Sequence, residues 1–233
     1  MNEGIFKMEI DNFLFLDFET DTNEEFFCAS YKLGPIFKQV ILNERLLPLA
    51  EHKRIDYLTP EAFISEIIDL AEDSIVAAYS EAELQTIKRV VQSENQNVLS
   101  LQYCNMRAAV KRHINSCPER KNLFGELPPF LSLANSYQQK KMRYSLASVA
   151  RLFTVNIPAM YHPGQTSKRF KDVLKGLAAK DGNYAKLTST QKAKATKALN
   201  HNKFDVEVLP IIFDRIFAEN PHHIRRSTDI YQM

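Results

Sequence analysis

The run Phe13-Leu14-Phe15-Leu16 passes directly into Asp17-Phe18-Glu19-Thr20, and this junction limits what the chain can fold into. Four consecutive apolar residues bounded by polar ones read as a short strand buried on both faces, as in a sheet covered by helices. Side chains alternate along a strand, so Asp17 and Glu19 fall on the same side. Two like charges at the end of a hydrophobic strand are costly unless a cation sits between them. A divalent metal is such a partner, because hard cations take carboxylate oxygens. A strand that simply ends in solvent satisfies the same pattern without any ion.

The surrounding sequence extends this strand into a sheet. Ile10–Phe18, Glu25–Lys32 and Ile36–Leu42 read as three strands of a meander, with Leu33-Gly34-Pro35 as a turn. Thr59 is placed to cap a helix that starts at Pro60 and buries Ala62, Phe63, Ile67, Ile68 and Leu70. Ser74–Tyr79 reads as another buried strand. Ser80 then caps a helix through Val91, with Leu84, Ile87, Val90 and Val91 inward. A strand near Val98–Tyr103 leads to a helix over Met106–Ile114, and the Pro- and Gly-bearing Asn115–Pro129 reads as a loop or insertion. Further helices are expected over Ser145–Phe153, in lysine-rich segments of which Thr188–Leu199 is the clearest, and from Lys203 to Ala218, kinked at Pro210. Residues 219–233 read as a polar tail. Antiparallel strands followed by alternating helices and strands describe an α/β fold: a mixed sheet with a three-strand antiparallel meander plus parallel strands, flanked by helices.

Composition narrows the class. No apolar run approaches the roughly 20 residues of a membrane helix, and the N-terminus has no basic-then-apolar signal pattern. Three scattered cysteines, Cys28, Cys104 and Cys117, fit reduced thiols in a cytoplasmic protein better than a disulfide framework. The net charge of +2 hides an asymmetry: residues 1–100 hold 19 acidic and 8 basic side chains, residues 138–203 hold 14 basic and 2 acidic. A basic surface beside an acidic core is the electrostatic pattern of a protein that handles nucleic acid; a solvated lysine-rich helical face gives the same count.

Two further carboxylates can reach the end of the first strand. Glu83 lies one helical turn after the strand Ile75–Tyr79, and Asp205 lies early in the last helix, with Glu81 and Glu207 as neighbouring competitors. An acid early in a helix is also common for dipole reasons alone. Glu207 should face away from whatever Asp205 faces.

Together these segments resemble the DEDD exonuclease superfamily, whose fold is ribonuclease H-like. Its first motif, Asp-x-Glu-Thr at a strand end, is matched by Asp17, Glu19 and Thr20. Its second, a carboxylate early in a helix after a strand, is matched by Tyr79-Ser80-Glu81-Ala82-Glu83, with glutamate in place of aspartate. Its third, Tyr-x-x-x-Asp in one branch, is matched by His201 and Asp205, with histidine in place of tyrosine. Tyr144-Ser145-Leu146-Ala147-Ser148-Val149-Ala150 is similar to the Ser-Leu helix before that motif.

The resemblance spans roughly residues 10–217. It implies one ribonuclease H-like nuclease domain over 1–218, with a basic helical insertion around 115–200. It also implies 3′-5′ exonuclease activity on a single-stranded end of DNA or RNA, with two divalent ions, Mg2+ or Mn2+, about 3.5–4 Å apart. Asp17, Glu19, Glu83 and Asp205 are then the metal ligands, and His201 orients or deprotonates the attacking water, a role open to a side chain that titrates near neutrality. Thr20, Tyr79 and Ser80 are candidates for contact with the terminal nucleotide, and Lys168, Arg169, Lys171 and Lys175 for its phosphate backbone. The glutamate and histidine departures equally describe a catalytically inactive ribonuclease H-like module that binds nucleic acid. An unrelated metal-dependent phosphatase or structural protein would instead leave Glu83 and Asp205 far from Asp17.

Overall fold

The computed structural model of the chain describes residues 9–93, 100–127, 143–159, 161 and 164–233. Among these residues seven strands form one mixed sheet in the order β4-β3-β2-β1-β5-β6-β7. The strands are β1 Phe13–Thr20, β2 Phe26–Leu33, β3 Ile36–Ile41, β4 Asp56–Tyr57, β5 Ile75–Ala78, β6 Ser100–Asn105 and β7 Thr228–Gln232. The expected meander is present: β1, β2 and β3 pair antiparallel, and Gly34 takes a positive φ of 54° in the turn between Leu33 and Ile36. The chain then crosses over to β5 and β6, which run parallel to β1. The described helices are α1 Leu47–Lys53, α2 Pro60–Ala71, α3 Ala82–Ser93, α4 Met106–Asn115, α5 Pro118–Glu126, α6 Leu146–Leu152, α7 Thr166–Ala178, α8 Ser189–Glu219 and α9 Pro221–Arg225.

Alternation along β1 sorts the core into layers. Leu14 and Leu16 join Phe63, Ile64 and Ile67 of α2 and Leu84 and Ile87 of α3 on one face. Phe13 and Phe15 join Val208, Leu209, Ile212 and Phe213 of α8 on the other, where the rings of Phe13 and Phe213 lie 4.4 Å apart. All four β1 side chains are fully or almost fully buried, each stabilising the fold by about 1.5–3 kcal/mol. The same period carries Asp17 and Glu19 onto the α8 face, beyond the end of the apolar packing. A third layer joins Phe27, Cys28 and Ile41 to α1, α7 and the first third of α8, with Phe170 stacked on Phe27 at 5.4 Å.

Several expectations change. The two helices expected over Thr188–Leu199 and from Lys203 are one continuous 31-residue helix, α8, about 46 Å long. Its middle, Asn200-His201-Asn202, is rich in poor helix formers, but His201 and Asn202 are buried, so tertiary contacts override local propensity. Pro210 lies buried inside this helix. Residues 219–233, expected as a polar tail, instead form α9, capped by Asn220, and the edge strand β7 against β6. The expected loop Asn115–Pro129 contains α5, which starts at Pro118 and buries only Phe124, too little for an apolar stripe; its end beyond Leu127 lies outside the described residues. The start of the strand expected at Val98 lies outside them too. The elements α1 and β4 had no expectation.

Candidate metal centre

Three elements deliver four carboxylates to the C-terminal end of β1. Asp17 and Glu19 come from the strand itself, and its pairing with β2 shifts register between Glu19 and Thr20, an irregularity of the kind that re-aims side chains next to functional sites. Glu83 comes from the first turn of α3 and is buried, whereas its competitor Glu81 is exposed. His201 and Asp205 come from the middle of α8, one turn apart on its inner face, while Glu207 is exposed and 3.6 Å from Lys203. The sheet position of β1 between β2 and β5 puts its end under α8, and that packing closes the cluster.

The ligand atoms of Glu19, His201 and Asp205 all lie within 4.8 Å of one another, a group able to coordinate one metal ion. His201 Nε2 is 3.3 Å from Asp205 Oδ2, and Nδ1 has no hydrogen-bond partner among the described residues. Asp17 and Glu83 stand outside this trio but act on it electrostatically. Burial raises the Asp17 carboxyl well above its usual range, and Asp205, Glu19 and Glu83 raise it further. Burial likewise raises Glu19, reinforced by Asp205 and Glu83. Glu83 is pushed up to about 7, chiefly by burial, with Asp205 adding to the shift. Glu83 and Asp205 therefore do not lie far from Asp17, as an unrelated protein with a chance Asp-x-Glu would have it.

Each carboxylate accepts a hydrogen bond from a neutral donor. Asn202 Nδ2 donates to Asp17 Oδ2 at 2.7 Å, and its own Oδ1 accepts from Gln39 Nε2 at 2.9 Å. The Thr166 side chain bonds Glu19. Ser80 Oγ donates to Glu83 Oε2 at 3.0 Å. Tyr161 Oη donates to Asp205 Oδ1 at 2.7 Å, and its ring stacks on His201.

These donors do not balance the charge. The Glu19 and Asp205 carboxylates, within 4.8 Å of one another, repel by about 3.5 kcal/mol at an effective dielectric near 20, and Asp17 and Glu83 add to the repulsion. A hydrogen bond to a charged group returns only about 1.5–3 kcal/mol, and one guanidinium, Arg169, opposes the shift on Glu19. The remaining repulsion is relieved by protons or by a cation, so the oxygen-rich donor set fits a hard divalent ion.

The other sequence candidates divide. Ser80 holds Glu83, as above. Tyr79 is partly buried, and its hydroxyl donates to the Tyr144 carbonyl at 2.6 Å, a contact between chain segments. Thr20 is half-buried at the irregular end of β1. Of the basic residues, Lys168 and Lys175 are exposed on α7, Arg169 leans toward Glu19, and Lys171 is paired with the buried Asp21 at 2.6 Å. Asn202, Tyr161, Thr166 and Gln39 were not singled out from the sequence. Asn202 carried a weak signal, a polar residue beside His201 on the inner face of an apolar helix; the other three carried none.

Compared with known protein families, curated proteins and solved structures, the chain finds no match. Among the described residues no helix is long and apolar enough to cross a membrane. Its own geometry defines a mixed α/β sheet flanked by helices, with a Glu-His-Asp cluster able to coordinate a metal ion at the end of the central strand.

Proposed function

We propose that this chain is a metal-dependent nuclease of the DEDD, ribonuclease H-like type, a 3′-5′ exonuclease hydrolysing phosphodiester bonds of DNA or RNA. One observation carries it: the ligand atoms of Glu19, His201 and Asp205, drawn from β1 and α8, lie within 4.8 Å of one another, with Asp17 and Glu83 near enough to act on them electrostatically. The strand order β3-β2-β1-β5-β6, with β2 antiparallel to β1 and β5 and β6 parallel to it, supports the same reading. So does the third-motif pair His201 and Asp205 in contact on α8.

The residues present fit a divalent cation, and this reading takes two, Mg2+ or Mn2+. Glu19 and Asp205 would hold one, Asp17 and Glu83 would complete the cage for a second, and His201 would stand beside them as the base. Such ions supply stabilisation of the charge that develops on the scissile phosphate and make water more acidic. His201, whose ring is fixed between Tyr161 and Asp205, accepts the proton of the attacking water as its oxygen bonds to phosphorus and the bond to the 3′ oxygen breaks. Lys168, Arg169 and Lys175 on α7 hold the phosphate backbone without reading sequence.

Asp17→Asn keeps the shape of the side chain and removes its charge. The expected result is thermal unfolding at or above the wild-type temperature with loss of Mn2+-dependent degradation of single-stranded DNA and RNA. A variant as active as wild type on both substrates overturns the assignment. Calorimetric titration of the wild type with Mn2+ separates the enzyme from an inactive binding module, which would take up the ion weakly or not at all while still binding nucleic acid.

A further inference from the structure

Tyr161 lies in the segment between α6 and α7, 40 residues ahead of His201, and is almost fully buried. Its ring lies parallel to the His201 imidazole, with centroids 4.0 Å apart and planes within 5°. It meets Phe204 edge-on at 4.9 Å. Its hydroxyl donates to Asp205 Oδ1 at 2.7 Å, while the other oxygen, Oδ2, is 3.3 Å from His201 Nε2. One side chain therefore touches both functional groups that α8 contributes.

A carboxylate turns about its last torsion with little resistance, and so does an imidazole. Asp205 is also repelled by Asp17 and Glu19, which favours a rotamer away from the cluster. A hydrogen bond to one oxygen fixes the plane of the carboxylate, and a ring stacked face to face fixes the plane of the imidazole. Partners of this kind orient metal ligands and tune affinity from outside the coordination sphere.

We propose that Tyr161 is a positioning residue of the metal centre, its hydroxyl setting the rotamer of Asp205 and its ring setting that of His201. The proposal rests on the metal-dependent reading above and adds a residue that the resemblance does not assign. The two contacts are separable: Tyr161→Phe removes the hydroxyl and keeps the stack, whereas Tyr161→Leu removes both.

The test titrates wild type, Tyr161→Phe and Tyr161→Leu with Mn2+ by calorimetry, with thermal unfolding as a fold control and single-turnover cleavage as a second readout. Tyr161→Phe is expected to unfold like wild type, to bind Mn2+ roughly 10-fold more weakly, and to regain the wild-type cleavage rate at saturating Mn2+. Tyr161→Leu is expected to show the same loss of affinity and a rate that saturating Mn2+ does not restore, because His201 has lost its stack. Tyr161→Phe binding Mn2+ as tightly as wild type overturns the proposal and makes Tyr161 a packing residue. If Tyr161→Leu fails to fold, Tyr161→Phe alone decides. A wild type that binds no Mn2+ defeats the metal-centre reading itself, and the proposal with it, before any variant is compared.

Discussion

Asp17, Glu19 and Glu83 carry raised carboxyl pKa values because the fold buries them together, and that has a sign in the stability of the metal-free protein. A carboxyl whose folded pKa exceeds its unfolded one holds a proton that the unfolded chain has already released, so stability falls as pH rises through the folded value. For Glu83 that value is about 7. His113 acts in the opposite sense. Burial, helped by Arg120, lowers its pKa to about 4, so below about 6.5 the unfolded chain takes up a proton that the folded one refuses, and stability falls toward acid. Between about pH 5 and 6.5 the three carboxyls outweigh the one imidazole, so the melting temperature of the metal-free protein should fall as pH rises from about 5 to 7. Mn2+ replaces the protons at the carboxylates, so it should abolish this fall and leave the opposite slope that His113 contributes, and Glu83→Gln should flatten part of the fall without metal. Thermal scans from about pH 5 to 8, with and without Mn2+, check this; a fall indifferent to Mn2+ contradicts it.

The decisive element is α8, because a single rigid rod carries His201, Asn202 and Asp205 over the end of β1 while its ends pack into two different apolar layers. Its start is fixed by a capping box: Thr188 Oγ accepts from the Gln191 amide, and Gln191 Oε1 accepts from the Thr188 amide at 3.0 Å. Helix α7 approaches this turn closely at Gly176, where an added Cβ would lie 2.4 Å from Gln191 Nε2 and 2.9 Å from Leu187 Cδ2. Gly176→Val should push Gln191 out of the box and prise α7 from α8, costing about 1–3 kcal/mol. Urea unfolding measures that loss, and an unchanged midpoint would show that the interface has slack. The helices of the sequence reading were legible where a cap and a stripe coincide, as at Thr59, whose Oγ accepts from the Ala62 amide at 3.2 Å. They were illegible at α5 and α9, which bury too few residues to leave a period.

At the scale of the whole molecule the charge asymmetry is partly spent inside the fold. Lys171, Lys194 and Lys203 have acidic partners in Asp21, Asp172 and Glu207; Lys168 and Lys175 are exposed on α7 and Arg169 lies between them beside Glu19, so these three are the cations assigned to a nucleic-acid backbone. Three phosphate contacts to a single strand predict a salt slope near −2, so affinity should drop about 20-fold between 50 and 200 mM salt. Fluorescence anisotropy with a labelled single-stranded oligonucleotide tests this, and binding indifferent to salt removes the basic face from the account. The sheet adds a second consequence of scale. Its final strand, β7, comes from the last residues of the chain and covers the β6 edge, a pairing no local pattern announced because a short, exposed edge strand has no buried face.

The strand Phe13–Thr20, its meander partners, most of the capped helices and the four candidate carboxylates can be read from the chain alone. Each is written in periods of two or 3.6 residues, or in a cap a few residues long. What holds those carboxylates is set by long-range packing. Asn202 reaches Asp17 across 185 residues and Tyr161 reaches Asp205 across 44, and contacts that distant leave no periodic trace. Packing also fused two expected helices into α8, because burying His201 and Asn202 over the sheet outweighs the weak helical propensity of Asn200-His201-Asn202. The residues that could bind a metal were thus visible in the chain, and the arrangement that points them at one another is a product of the fold.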